Sequence, residues 1–125
     1  MEKDFKRNII IYKNHFWDFY NFEPEDVRQK IDWVIGLVKT LKLIPAKFFE
    51  HLTGTDGLFE IRIEFKSNIY RIFCCFDEGN VVVLFNGFQK KSQKTPKTEI
   101  DTAEKLKAEY FEEKRLLIDI NSKKK

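Results

Sequence analysis

The residues best suited to chemistry in this chain are two arginines, Arg62 and Arg71, on either side of a short polar turn. A guanidinium is planar and donates two parallel hydrogen bonds to a phosphate, so two arginines on one surface make a phosphate clamp. Glu60 and Glu64 alternate with apolar residues in step with Arg62. Two interpretations are therefore open for each arginine: a phosphate contact, or a salt bridge to a glutamate on the same face.

A basic stretch without any acidic residue follows the second arginine. It holds Lys90, Lys91 and Lys94, and Lys97 comes just after it. A lysine whose pKa is lowered by neighbouring cations can protonate a leaving oxygen. The alternative is an ordinary solvated loop.

Three further side chains of the same stretch are candidates for contacts with nucleic-acid bases. Phe88 can stack on a base, as aromatic residues of RNA-binding proteins do, or it can anchor the loop in the core. Gln89 and Gln93 can hydrogen-bond the edges of bases.

Three consecutive strands position these residues. In residues 58–65 apolar and polar side chains alternate strictly, which predicts a strand with one buried face. Residues 69–76 are apolar on both faces apart from Arg71, which predicts a central strand, and residues 81–85 are β-branched and apolar. Polar turns separate the three runs, with Gly79 free to adopt a positive φ.

Strand register decides whether the two arginines meet. With an even-residue turn at Ser67-Asn68, Arg71 lies opposite Glu64, and the two arginines share a face. If the second loop is also even, Asn86 comes opposite Arg71 and delivers the lysines to that end of the sheet. A slip of one residue would separate these groups.

The rest of the chain predicts helices around this sheet. Residues 6–12 predict an additional edge strand, and residues 15–20 an aromatic connector that seals the core rather than stacks on bases. Residues 24–42 have apolar side chains at helical spacing, and residues 46–52 predict a second helix that ends near a glycine. A third helix begins at Thr95-Pro96. The expected class is α+β, with a small, mostly antiparallel sheet, a helical hairpin on one face and a C-terminal helix.

Length and composition limit the possible classes of protein. The 125 residues make one domain, predicted over residues 1–120, with a disordered basic tail at residues 121–125. The formal net charge is only +3, so the clustering of the lysines matters more than their number. No apolar run is long enough to span a membrane. The adjacent Cys74 and Cys75 point to opposite faces of a strand, which argues against a disulfide and favours a reducing cytoplasm.

The segments GLFEIRIEF, NIYRIFCCFDEGNVVVL and NGFQKKSQKTP, followed by an amphipathic helix, resemble the RelE/ParE toxin superfamily. The nearest resemblance is to its HigB-like, phage-derived branch, and it extends from the N-terminal strand to about Lys114. It implies a RelE-like fold and the toxin of a type II toxin–antitoxin pair. The expected partners are messenger RNA on the ribosome and an antitoxin, commonly a helix-turn-helix DNA-binding protein.

The resemblance implies a ribosome-dependent endoribonuclease that inhibits translation by cleaving messenger RNA. Internal attack by the 2′-hydroxyl needs a base, stabilisation of charge on phosphorus and a proton for the leaving oxygen, but no metal or other cofactor. The sequence holds no cluster of histidines and acids at metal-ligand spacing, which agrees with this route. The alternative is a non-catalytic protein of the same fold, either a ParE-like gyrase inhibitor or an inactive partner of a DNA-binding antitoxin. The residues that the resemblance assigns to catalysis are Arg62, Arg71, Lys90, Lys91, Lys94 and Glu60, and those assigned to RNA binding are Phe88, Gln89, Gln93 and Lys97.

The general base has two candidates. Glu60 stands where many relatives carry lysine, and some relatives use a carboxylate as the base, so it either abstracts the proton or pairs with an arginine. His51, on the predicted second helix, is the other candidate, against the alternative of an ordinary surface or core histidine.

Overall fold

A five-stranded sheet lies between two layers of helices in the computed structural model, which describes residues 6–123. The strands are ordered β1-β5-β4-β3-β2 across the sheet. Along the chain the elements are β1 (Asn8–Ile11), α1 (His15–Phe22), α2 (Glu25–Thr40), β2 (Phe49–His51), β3 (Phe59–Phe65), β4 (Asn68–Phe76), β5 (Val81–Lys90) and α3 (Lys97–Lys123). The α+β prediction is confirmed. None of the helices in residues 6–123 is both long enough and apolar enough to cross a membrane.

The sheet is mostly antiparallel, as expected. β2, β3, β4 and β5 pair antiparallel, whereas β1 joins the outer side of β5 as a parallel edge strand. β3 and β4 are connected by a tight two-residue turn, in which Lys66 and Ser67 both have positive φ, 50° and 68°. Positive φ at both central residues is the mark of a type I′ turn, whose twist matches that of the strands.

The position of this turn brings the two arginines closer together than predicted. The expected turn, Ser67-Asn68, would have placed Arg71 opposite Glu64, but the observed turn lies one residue earlier. Each partner is therefore shifted by two residues, and Arg62 lies directly opposite Arg71. A shift of two preserves the side of the sheet, so the prediction of a shared face holds although the predicted pairing was wrong.

The second hairpin also departs from the expected register. Phe76 pairs with Val82, and an irregularity between Ile72 and Cys74 shifts the pairing by one further residue. As a result Phe88, rather than the predicted Asn86, lies opposite Arg71. The β-bulge supplies an extra residue on β5, and such bulges are common where a strand must redirect its side chains.

The two faces of the sheet are covered by different helices. α1 and α2 pack on the face formed by Ile61, Ile72 and their neighbours, and α3 packs on the face that holds Phe73 and Phe85. Cys74 and Cys75 are free, buried thiols, one in each core. Burial raises the pKa of Cys74 well above its usual value and that of Cys75 to about 11.

The N-terminal helical layer is built from other segments than expected. Residues 46–52 do not form a helix: residues 49–51 are the edge strand β2, whose backbone pairs with β3. The aromatic connector at residues 15–20 is instead the helix α1, in which Phe16 and Phe19 are buried. The helical pair is therefore α1 and α2, and Phe16 and Phe19 belong to the core as expected, whereas Trp17 is exposed. α2 buries four residues of its predicted apolar stripe, Val27, Ile31, Val34 and Val38, whereas Ile35 is half-buried and Leu41 lies just beyond the helix.

Gly87 allows α1 to approach the sheet closely. A Cβ atom built on Gly87 would lie only 2.4 Å from a ring carbon of Phe19. The helix therefore rests directly on the backbone of β5, which is possible only because glycine has no side chain. This contact fixes α1 beside the end of β5 that leads into the lysines.

α3 is attached to the turn between β4 and β5. The Asp77 carboxylate accepts hydrogen bonds of 2.6 Å from both the Tyr110 hydroxyl and the Lys114 ammonium. The helix continues to Lys123, so residues 121–123 of the predicted disordered tail are helical. Residues 124–125 lie outside the described part of the chain.

Candidate functional site

The Glu60 carboxylate lies between the two opposed guanidiniums. Its Oε1 is 3.6 Å from Nε of Arg62, and its Oε2 is 3.6 Å from Nε of Arg71. Alternation along β3 puts Glu60 and Arg62 on one face, and direct pairing across β3 and β4 adds Arg71 to it. Glu60 thus forms the ion pairs that the salt-bridge interpretation expects, whereas Glu64 forms no ion pair with either arginine in residues 6–123. Two like charges directly opposite each other are destabilising unless a counter-charge separates them.

Arg71 is the most buried charge of this cluster. Its side chain is 4% exposed, and one terminal nitrogen donates a 3.2 Å hydrogen bond to its neighbour's carbonyl, that of Tyr70. Burial lowers the pKa of Arg71 from its usual value, and the charge of Glu60 opposes this effect. Within the described chain, neither Arg71 Nε nor Glu60 Oε2 makes a hydrogen bond. Each unsatisfied buried group costs about 1–3 kcal/mol, and such costs are concentrated at functional sites.

Arg62 reaches the edge of the sheet and has a second carboxylate partner. Its side chain is 31% exposed and donates a 2.7 Å hydrogen bond to Glu50 on β2. Sequence reasoning missed Glu50 because that residue lay in a predicted helix rather than in a strand. With Glu64 included, this face carries three carboxylates and two guanidiniums. Any net positive charge on this face must therefore come from the neighbouring lysines.

Lys90 and Lys91 lie where β5 leaves the sheet, beside this cluster. Lys90 is opposite Ile69, two residues before Arg71 on β4, so it lies on the arginine face. A cavity of about 380 Å³ is lined by Ile69, Lys90, Lys91, Ser92 and Gln93. The structure therefore places Lys90 on the arginine face of the sheet, and Lys91 and Gln93 in the cavity that Lys90 also lines.

The ends of the lysine loop, residues 91–96, are held in place by hydrogen bonds. The side-chain amide of Asn86 on β5 donates to the backbone carbonyl and to the carboxylate of Glu99 on α3, each at 3.0 Å. Within the loop the Ser92 hydroxyl donates to the backbone carbonyl of Lys94, which is exposed. These hydrogen bonds anchor the loop that carries Lys91 and Lys94.

Three of the four residues predicted to bind RNA already contact other side chains of the protein. Gln89 points to the opposite face of the sheet and donates to the Asn68 side chain, and Lys97 pairs with Asp101 at the start of α3. Phe88 shares the arginine face, but it is only 8% exposed and its ring packs edge-on against Phe73. The geometry at Phe88 is that of the core anchor, and its ring is not open to a base.

His51 does not join the site. It lies on β2 opposite Phe59, so its side chain is on the other side of the sheet from Glu60 and the arginines. Its Nε2 is 3.2 Å from the carbonyl oxygen of Thr55, and its ring contacts Phe59. This position is that of an ordinary surface histidine.

A larger groove lies on the other side of the lysine loop, between α1, β5 and the start of α3. Its volume is about 640 Å³, and its lining includes His15, Phe22, Glu23, Gln89 and Lys91. Burial raises the pKa of Glu23, and the nearby charge of Lys91 opposes this shift. Sequence reasoning did not select Glu23. Lys91 therefore stands between two cavities.

The structure defines a small α+β protein with a guanidinium pair and a lysine loop at one end of a mostly antiparallel sheet. The model of the family described as Phage derived protein Gp49-like (DUF891) matches residues 18–108, and the chain belongs to this family. The matched part includes Glu60, both arginines and the lysine loop. The family is associated with RelE-like toxins, which is consistent with a toxin of the toxin–antitoxin type. A search of curated proteins found no match.

Proposed function

We propose that this chain is the HigB-like toxin of a type II toxin–antitoxin pair and that it cleaves messenger RNA on the ribosome. The observation that carries the proposal is the direct opposition of Arg62 and Arg71 across β3 and β4. Like charges at directly opposite positions reduce stability, and so does a guanidinium that is almost fully buried. Such an arrangement is expected at a site that binds a phosphate, whose charge adds to the single counter-charge that the two guanidiniums share at Glu60.

Each group has a role in a cleavage that starts from the 2′-hydroxyl. The guanidiniums of Arg62 and Arg71 bind the scissile phosphate and stabilise the charge that develops on its oxygens. Lys90 or Lys91, at the same end of the sheet, donates a proton to the leaving 5′-oxygen. Glu60 is shared by two guanidiniums and is largely buried, which supports a positioning role for this carboxylate rather than proton abstraction. The attacking oxygen and the leaving oxygen both belong to the RNA, so no covalent enzyme intermediate forms. As the bond from the 2′-oxygen to phosphorus forms and the bond to the 5′-oxygen breaks, the proton of the 2′-hydroxyl passes to solvent water.

The same proposal includes an antitoxin partner and a cytoplasmic location. An antitoxin that covers the lysine loop would prevent access of RNA to the guanidinium pair. Lys91 and Lys94 are exposed and give an acidic partner segment a surface of opposite charge.

A second candidate is a non-catalytic protein of the same fold that inhibits gyrase or only binds its antitoxin. One observation favours it: both guanidiniums already have carboxylate partners, Glu50 and Glu60. If these ion pairs persist when RNA is present, the arginines are structural.

Induced expression in a bacterium separates the two candidates. We expect growth arrest with the wild-type chain, and new messenger RNA 5′ ends within translated codons when transcripts are sequenced. Arg71→Gln and Lys91→Ala should remove both effects. Arg115→Gln is the matched control, because Arg115 is an exposed guanidinium on α3 whose partners are on its own helix. Circular dichroism of each purified variant checks that the fold is retained.

The outcomes assign the function clearly. Arrest without new 5′ ends, accompanied by DNA damage, would support the gyrase inhibitor. Undiminished cleavage by both site variants would refute the assignment of Arg71 and Lys91.

A further inference from the structure

A second basic surface begins where Arg62 reaches the edge of the sheet. Lys30 on α2 and Lys47 on the connection to β2 line a cavity of about 140 Å³, together with Phe48, Arg62 and Glu64. The cavity is therefore shared between the candidate site and a part of the protein to which sequence reasoning gave no function. We call Lys30, Trp33, Lys47 and Phe48 the edge surface.

Trp33 is the exposed aromatic residue of the edge surface. It is 52% exposed, and the Lys30 ammonium lies 4.5 Å from the centre of its ring. Phe48 packs edge-on against the same ring at 5.6 Å between centroids, and the Lys47 ammonium lies 5.6 Å from the ring of Phe48. Tryptophan so exposed leaves much apolar surface in water, which is unfavourable unless a partner covers it.

The lysines of the edge surface are not neutralised. Among residues 6–123 neither Lys30 nor Lys47 forms an ion pair, whereas Lys66, in the turn between β3 and β4, pairs with Asp26 on α2. One carboxylate, that of Glu64, lines the cavity alongside three basic side chains. The combination of unpaired cations with an exposed aromatic ring matches the chemistry of single-stranded nucleic acid, which offers phosphates and flat bases in alternation.

We infer that the edge surface binds single-stranded RNA, with Lys30 and Lys47 on its phosphates and Trp33 stacked on a base. This inference rests on the proposed function and adds to it the direction in which the RNA leaves the site. The bound RNA runs from Lys90 on β5, across Arg71 and Arg62, to Lys30 and Lys47 beyond β3. β5 and β3 are two strand spacings apart, about 10 Å, so a short run of nucleotides spans the track.

A probe that cannot be cleaved tests binding without catalysis. A fluorescent 2′-O-methyl oligouridine of about twelve nucleotides lacks the free hydroxyl needed for attack and suits the footprint of such surfaces. Its affinity is measured by anisotropy across a series of salt concentrations, for the wild type and for the Lys30→Ala/Lys47→Ala double variant. The control is Lys105→Ala/Lys123→Ala, which removes the same charge from α3.

The salt dependence gives a sharp expectation. Each phosphate contact to a single strand contributes about −0.7 to the slope of log K against log salt, so loss of two contacts should make the slope shallower by about 1.4. The control variant should keep the wild-type slope. Equal slopes for the two double variants would overturn the inference.

Stacking has its own readout, because the chain contains two tryptophans. In a Trp17→Phe variant Trp33 is the sole tryptophan, and we expect its fluorescence to be quenched by the probe. Trp33→Ala should bind at least about fivefold more weakly, whereas Trp33→Phe keeps an aromatic face and most of the affinity. If the probe does not quench the fluorescence of Trp33, RNA does not bind at the edge surface. The same conclusion follows if polyglutamate displaces the probe and the Trp33 variants bind the probe as tightly as the wild type.

Failure of this inference is distinguishable from failure of the proposed function. If the edge variants bind the probe normally while wild-type cells show messenger RNA cleavage, only the edge surface is refuted. If the probe binds as expected but no cleavage occurs in cells, the surface stands and the nuclease assignment fails.

Discussion

Replacing Glu60 with glutamine tests whether its carboxylate holds the guanidinium pair together. Glu60 is the only carboxylate in residues 6–123 that forms an ion pair with Arg71, whereas Arg62 keeps its 2.7 Å contact with Glu50. The loss therefore falls on Arg71, a charge whose side chain is 4% exposed. The variant also leaves Arg62 and Arg71 opposed without a charge between them.

The size of the effect follows from this geometry. Removing one partner of a fully buried ion pair costs about 3–5 kcal/mol. Here the two atoms are 3.6 Å apart without a hydrogen bond, and glutamine keeps one acceptor oxygen, so we expect a loss of about 2–3 kcal/mol in the free energy of unfolding. Urea denaturation measures it as a shift of roughly 1–2 M in the midpoint with an unchanged m value.

Two further variants decide how a loss is interpreted. Glu64→Gln lies on the same strand and face but is exposed and has no ion pair in the described chain, so it should change stability by less than about 0.5 kcal/mol. Adding Arg71→Met to Glu60→Gln removes the uncompensated charge and should restore part of the lost stability. If Glu60→Gln costs no more than Glu64→Gln, the carboxylate does not stabilise the pair and our reasoning is wrong.

Other predictions concern the fold that supports the site. Gly87→Ala should lower the free energy of unfolding by about 1–3 kcal/mol, because its Cβ would lie 2.4 Å from the Phe19 ring, and a Phe19→Ala background should reduce that loss. Gly36→Ala, a helix position with nothing within 4 Å of the new Cβ, should instead stabilise by about 0.5–1 kcal/mol, measured by the same urea titration. Asp77→Asn should remove part of the acid sensitivity of folding. Burial alone would raise the pKa of Asp77, but hydrogen bonds, chiefly from Lys114, outweigh burial and lower it. A lowered pKa means that this stabilisation is present above the unfolded pKa of about 3.9 and is lost as the pH falls through the folded pKa, so the variant should lose less stability than the wild type below about pH 4. Parallel pH curves for the two proteins would contradict this role.

The strands could be predicted because their signals are local. The alternation in residues 58–65 and the apolar run that contains Arg71 reflect which side chains face a core, and the structure has strands at both places. The turn between them was misplaced by one residue, since Lys66 and Ser67 adopt positive φ although neither is glycine or asparagine. Lysine and serine are not residue types that indicate a positive φ.

β2 was misread because its stability comes from a partner distant in sequence. Residues 46–52 follow a proline and contain good helix formers, but Phe49 and Phe59 stack in the core when residues 49–51 pair with β3. Local propensity carries no information about that pairing. The same error hid Glu50, which belongs to the site only as a neighbour of β3.

The candidate site was predicted in part. The parity of residues 60, 62 and 71 was enough to place three side chains on one face, because a shift of two residues leaves the face unchanged. Parity could not show that the arginines are directly opposed or that Phe88 is buried, since both depend on a turn position and a β-bulge. The edge surface was missed because α2 and the connection before β2 meet only in three dimensions.

The pairing of β1 with β5 has a consequence for synthesis of the chain. β1 leaves the ribosome well before its partner strand, which begins at Val81, 73 positions after Asn8. The early strand and the helix α1 that rests on Gly87 thus have no sheet to join until β5 has been made. β5 ends at Lys90, so the last strand of the sheet emerges directly before the lysine loop. A nascent chain that stops before this point contains both arginines but cannot assemble the surface that surrounds them.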